Sequence, residues 1–105
     1  MFNMSTLTKL RLSDSSLIGI IPSILGRWKL CKLQVLQLSN NFLTGDITEM
    51  IEVVSWSNQS LEMLDLSQNQ LNGKLSHSLE QFKSLYDLDL SSNSVNSHTV
   101  QYQHL

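Results

Sequence analysis

Leu36-Gln37-Leu38-Ser39-Asn40-Asn41-Phe42-Leu43-Thr44-Gly45 is answered later in the chain by Leu64-Asp65-Leu66-Ser67-Gln68-Asn69-Gln70-Leu71-Asn72-Gly73, with leucine, serine, asparagine and glycine at matching places. A third copy, Leu88-Asp89-Leu90-Ser91-Ser92-Asn93-Ser94-Val95, runs on into Asn96 where Thr44 and Asn72 stood and into Ser97 in place of glycine. A weaker copy precedes them, Leu10-Arg11-Leu12-Ser13-Asp14-Ser15-Ser16-Leu17-Ile18-Gly19. The leucines hold register while their neighbours change. That is the mark of a solenoid, in which units too small to bury an apolar face alone stack so that each covers the next. Such a stack offers one long surface to a partner, so the pattern points to recognition rather than catalysis.

Working outward, each phrase is the end of an L-x-x-L-x-L segment: Leu7-Leu10-Leu12, Leu33-Leu36-Leu38, Leu61-Leu64-Leu66 and Leu85-Leu88-Leu90. Period-two alternation predicts strands near 7–13, 33–39, 61–67 and 85–91, with leucines pointing to one side and the intervening residues to the other. The outward set begins with Lys9 and Arg11, continues with Val35 and Gln37, then Met63 and Asp65, and ends with Asp87 and Asp89. These eight are the candidate ligand-binding residues. Asn41, Asn69 and Asn93 stand where the chain leaves each strand, and a buried asparagine there can bond the backbone of its own coil and of its neighbour. Ser15, at the same place in the first copy, is shorter and predicts a looser first coil. Gly19, Gly45 and Gly73 fit turns with an unusual backbone angle, and Pro22 is expected to close the first of them. Segments Ile24 to Leu30, Glu49 to Val54 and Ser78 to Phe82 carry apolar residues at helical spacing and are expected to pack inward as short helical or irregular returns. One domain is expected over 1–97, with an irregular tail over 98–105.

Composition excludes several classes. The chain has 105 residues, 41% of them hydrophobic, and a net charge of −2. This is neither disordered nor membrane-like in balance. Charge is split along the chain: residues 1–32 carry five basic side chains against Asp14 alone, whereas residues 33–105 carry Lys74 and Lys83 against eight acids. No apolar run is long enough to span a bilayer. The opening Met1-Phe2-Asn3-Met4-Ser5-Thr6 lacks the basic-then-apolar pattern of a secretory signal, so the chain as it stands is expected to have no route out of the cytosol. There is no H-E-x-x-H, no C-x-x-C, no phosphate loop and no nucleophile elbow, so no metal, no cofactor and no catalytic residue is expected. Three carboxylates, Asp65, Asp87 and Asp89, could hold a cation loosely, though an acidic solvated face is the simpler reading. The acidic balance disfavours nucleic acid. Cys31 is the single cysteine and reads as a buried apolar thiol. Asn3-Met4-Ser5 and Asn58-Gln59-Ser60 match the N-x-S acceptor, so Asn3 and Asn58 are candidate glycosylation sites in a secreted setting.

The combined pattern L-x-x-L-x-L-S-x-N-x-L-x-G resembles the plant-specific leucine-rich repeat, and the copies recur at 26, 28 and 24 residues, inside the ~20–29 range of such repeats. Gly19-Ile20-Ile21-Pro22-Ser23-Ile24-Leu25-Gly26 is similar to that family's G-x-I-P-x-x-L-G. Leu30-Cys31-Lys32-Leu33, Leu43-Thr44-Gly45-Asp46-Ile47 and Ser57-Asn58-Gln59-Ser60-Leu61-Glu62 resemble the ectodomains of plant receptor-like proteins and receptor kinases. The resemblance implies an α/β solenoid of about four repeats, a right-handed coil with a short parallel sheet on its concave face. It also implies a module without enzymatic activity that perceives a protein, a peptide or another elicitor, with a co-receptor as a further candidate partner. Its parent would sit on the extracellular side of the plasma membrane, and this segment would not itself touch the bilayer. Relatives often place a second cysteine where this chain has Trp56, so Cys31 would have lost a partner. A secreted inhibitor of the polygalacturonase-inhibitor kind, built on the same repeat, and a non-functional remnant are the other readings.

Overall fold

The computed structural model describes residues 4–57, 59–75 and 80–96. The chain winds through β1 (Lys9–Arg11), β2 (Ile18–Gly19), α1 (Ile21–Trp28), β3 (Val35–Gln37), β4 (Phe42–Asp46), α2 (Ile47–Ser57), β5 (Met63–Asp65), β6 (Gln70–Lys74), β7 (Asp87–Asp89) and β8 (Ser94–Asn96). Two parallel sheets result, in the orders β1-β3-β5-β7 and β2-β4-β6-β8. Each order steps by one coil, as a solenoid requires.

The first sheet follows from the alternation. Its strands are in strict register, so that Leu10, Leu36, Leu64 and Leu88 form one inward row. Only the central three residues of each predicted segment are strand, but the backbone ladder continues beyond them. Leu38 N–H donates to the Asp65 carbonyl at 2.8 Å and Asn40 N–H to the Ser67 carbonyl at 2.9 Å; Leu66 and Gln68 repeat this onto Asp89 and Ser91, each at 2.9 Å.

The second sheet was not expected. Gly19, Gly45 and Gly73, read as turn residues, lie inside β2, β4 and β6, yet all three keep a positive φ. Gly45 and Gly73 therefore reshape a strand rather than end one, whereas Gly19 is the last residue of β2. Here too alternation was present: in Phe42–Asp46 Leu43 is buried and Phe42, Thr44 and Asp46 are exposed.

Between the sheets and the two helices lies a continuous core. Leu33, Leu36, Leu38, Leu43, Ile47, Ile51, Leu61, Leu64, Leu66, Leu71 and Leu75 are fully buried. At about 1.5–3 kcal/mol for each such side chain, this burial is the main favourable term. Leu10, Leu12 and Leu17 in the first coil and Leu90 in the fourth are only partly buried.

Both helices begin earlier than their apolar spacing suggested, and for different reasons. In α1, Ile20 occupies the N-cap and offers no side-chain acceptor, while Pro22 sits in the first turn. Proline has no N–H to satisfy there, so it starts this helix instead of closing the turn before it. In the next coil Thr48 stands in the same place, and its N–H is satisfied by Asp46 Oδ1 at 2.8 Å, as is that of Glu49 at 3.3 Å. Asp46 thus caps α2 with its side chain, which Ile20 cannot do for α1. Ile21, Ile24 and Leu25 of α1 and Ile47, Met50, Ile51 and Val54 of α2 face the core, and Phe82 is buried in the third return. Residues 76–79 and the tail over 98–105 lie outside the described residues.

Gly26 sits inside α1 with open space where a Cβ would be. Gly26→Ala should raise stability by about 0.5–1 kcal/mol by lowering unfolded-chain entropy. A thermal melt should move upward by a few degrees, and an unchanged or lower midpoint would contradict this.

Candidate functional site

The open face of the first sheet is built by register. Lys9, Val35, Met63 and Asp87 form one cross-strand row, and Arg11, Gln37, Asp65 and Asp89 form a second. Lys9 and Arg11 are exposed, and the other six are half-buried by their neighbours. The structure therefore brings all eight predicted residues onto one face. Neighbouring strands lie about 4.8 Å apart. Each row passes from a cation on β1, through uncharged residues on β3, to carboxylates at the far edge.

Next to these rows runs a serine line. Ser13 Oγ and Ser39 Oγ are 2.8 Å apart. On the acidic side the serines turn instead to carboxylates: Ser67 donates both Oγ–H (2.8 Å) and N–H (3.1 Å) to Asp65 Oδ1, and Ser91 donates Oγ–H (2.7 Å) and N–H (3.0 Å) to Asp89 Oδ1. One oxygen of each aspartate is thereby fixed to its own coil, which holds the charge at a set position on the face. Among the described residues no three His, Cys, Asp or Glu side chains come together as a metal site.

Asparagines hold the turn beneath. Nδ2 of Asn41 donates to the carbonyls of Leu38 (3.0 Å), Ser39 (3.1 Å) and, in the previous coil, Leu12 (3.0 Å), while its Oδ1 accepts from the N–H groups of Ser15 and Leu17 at 3.0 Å each. Asn69 repeats the pattern onto Leu66, Ser67 and Leu38 and accepts from Leu43 N–H at 3.0 Å. Asn93 does so onto Leu90, Ser91 and Leu66 and accepts from Leu71 N–H at 2.9 Å. The Ser15 hydroxyl, by contrast, donates within its own coil, to the Ser13 carbonyl.

The residue before each of these positions carries a constraint that the sequence pattern did not disclose. Asp14, Asn40, Gln68 and Ser92 all have φ between 55° and 58°. This left-handed turn lets the following side chain swing under the strand. Asparagine tolerates the conformation and glutamine does so poorly, and Asn40 Nδ2 also donates to the Asp14 carboxylate. Gln68→Asn should stabilise the fold by about 0.5–1 kcal/mol. Denaturant midpoints of the two proteins would show it, and a lower midpoint for the variant would refute the strain argument.

Three further expectations meet different outcomes. Cys31 is exposed, not buried: it follows the last buried residue of its return, Leu30, and faces out, with Sγ 3.7 Å from the Ser5 carbonyl. Asn3 and Asn58 both lie outside the described residues. No helix among the described residues is long and apolar enough to cross a membrane. Sequence reasoning also missed a set of exposed apolar side chains away from the open face, Ile18, Ile20, Phe42 and Val53 among them.

Comparison with known proteins agrees with this architecture. The Leucine Rich Repeat family pattern matches residues 6–28, 32–53 and 60–82. Over 80 residues the chain is 39% identical to Receptor-like protein 53 of Arabidopsis thaliana, covering 76% of this chain and 8% of the relative. Over 81 residues it is 41% identical to a protein described as a probably inactive leucine-rich repeat receptor-like protein kinase of Arabidopsis thaliana, covering 77% and 7%. The aligned stretch thus spans less than a tenth of either relative's length. No solved structure matches the chain. The chain belongs to the leucine-rich-repeat family, and its repeats resemble those of plant receptor-like proteins.

Proposed function

We propose that this chain is a protein-recognition segment of a plant receptor-like ectodomain, which grips a peptide or protein elicitor on the open face of the first sheet. The observation that carries the reading is the pair of in-register rows, Lys9-Val35-Met63-Asp87 and Arg11-Gln37-Asp65-Asp89. Arg11 and Asp89 are three strand spacings apart, about 14 Å, a span suited to four or five residues of extended chain. The complementary ligand carries a carboxylate toward β1, an uncharged centre over β3 and a cation toward β7. The work is shape and charge complementarity, with no bond made or broken. Signal perception in defence, a co-receptor and a place on the outer side of the plasma membrane belong to the same proposal. The relatives' names as receptor-like proteins support it.

Affinity selection of a random heptapeptide library on the folded chain tests it. Selected peptides should carry opposite charges at their two ends, and raising sodium chloride past the Debye regime should weaken them several-fold. The charge-swapped double variant Arg11→Glu with Asp89→Lys should lose affinity for those peptides by about tenfold or more, equivalent to about 1.4 kcal/mol. Peptides that bind both proteins equally would sink the reading.

A further inference from the structure

On the far side of the coil, a groove runs between α1 and α2. It consists of two adjoining hollows of about 180 Å³ and about 340 Å³ that share Pro22 and Val53 as a low ridge. The floor is made of core side chains, Ile21 and Met50 in the first hollow and Leu25, Leu30 and Val54 in the second. Val53, on the ridge, is 50% exposed and Ile20, on the rim, is 46% exposed. The two ends differ in charge. Asp46 and Glu49 line the first hollow, and Lys29 lines the second beside Cys31. The N-terminus of α2 offsets only about half a charge at the acidic end, so the carboxylates prevail there.

We propose that this groove is a second docking site, and that its occupant is an extended segment of a partner protein reading base, apolar, any residue, apolar, acid. The first hollow, at about 180 Å³, is smaller than the pockets that enclose a small molecule, which start at about 300 Å³, and is of a size for a side chain. The two hollows adjoin across Pro22 and Val53, which line both, and neighbouring hollows suit residues i and i+2 of an extended chain, whose side chains on one face repeat about every 6.6 Å. The charge of the ends sets the flanking residues: a lysine or arginine against Asp46 and Glu49, and a carboxylate against Lys29. The site lies across the coil from the open sheet, so it does not depend on the function proposed above.

Cys31 lines the second hollow and is the single cysteine, so its alkylation reports occupancy. The probes are acetylated, amidated pentapeptides: Lys-Leu-Ser-Leu-Glu, its reverse-order counterpart Glu-Leu-Ser-Leu-Lys, and Glu-Leu-Ser-Leu-Glu as a charge control. On the full chain at millimolar peptide, at least one mixed-charge order should slow iodoacetamide modification of Cys31 by about threefold or more, as occupancy requires, and the all-acid peptide should not. Val53→Asp, on an exposed ridge, should abolish protection. Glu49→Lys should transfer it to the all-acid peptide, which a merely unfolded variant could not do. Equal alkylation rates with and without every peptide overturn the proposal. Protection that survives Val53→Asp but vanishes in Arg11→Glu also overturns it, and leaves the open-sheet reading standing.

Discussion

Asn69→Ala should, with Asn41→Ala, be among the most damaging polar-to-alanine changes at the described residues, costing about 3–5 kcal/mol. The side chain is 8% exposed and serves four backbone groups in two coils. Its removal leaves the buried Leu43 N–H without its acceptor and the Leu38, Leu66 and Ser67 carbonyls without their common donor. Each buried polar group left unsatisfied costs about 1–3 kcal/mol. Water can reach the less buried carbonyls, which keeps the sum below four full penalties. For a domain with about 5–15 kcal/mol in hand, this is a large part of the whole. Ser15→Ala, at the equivalent place in the first coil, should cost less than about 0.5 kcal/mol, because Ser15 Oγ is exposed and bonds only the Ser13 carbonyl. Urea unfolding of the two variants beside the parent would measure both. Comparable losses would show that the asparagine bonds do not carry the turn.

Gly73→Ala should cost about 3 kcal/mol, from two sources that can be separated. The first is the backbone, since φ is +98° and an L-residue there is strained by about 1–2 kcal/mol. The second is steric. An added Cβ would lie 2.9 Å from Asp46 Oδ2 and 3.0 Å from Asp46 Cγ. That carboxylate cannot withdraw freely, because its other oxygen caps α2 through Thr48 and Glu49. Displacing it forfeits a cap of about 1 kcal/mol. Gly19→Ala isolates the first source: φ is +108° but no atom lies within 4 Å of the new carbon, so the cost should be about 1–2 kcal/mol. A double-mutant cycle with Asp46→Ala isolates the second, and the pair should cost about 1 kcal/mol less than the sum of the single changes. Strict additivity would remove Asp46 from the explanation.

Much of the architecture was legible because one phrase, repeated, encodes both the strand and its exit. Leucines at alternating positions could only stack inward, and the half-buried residues between them could only line the other side, so both open-face rows could be named before their register was known. The helices were legible as apolar spacing, but their first turns were not. The start of α1 depends on a proline that lacks a donor, and the start of α2 on Asp46 reaching over to Thr48. Spacing of apolar residues carries no information about either. The second sheet escaped notice because glycine signals a turn in isolation, and only pairing with the neighbouring coil converts Gly45 and Gly73 into strand residues. Cys31 was misplaced because thiols are usually buried, and burial at a helix exit is set by the direction in which the chain leaves Leu30.

By itself, then, the sequence determined the repeat, its period, the inward leucines and the asparagine at each exit, because these are local and recur in register. Only the tertiary structure decided what the coils do to one another. It set the second sheet, the asparagine bonds from coil to coil, and the groove whose two hollows share Val53, with Asp46 and Glu49 lining one and Lys29 the other. Those features depend on contacts between residues some 26 positions apart in the chain, as the Asn41 bonds to Ser15 and the Thr48 bond to Lys74 show. No local pattern specifies which atoms will face each other across that distance until stacking fixes the register.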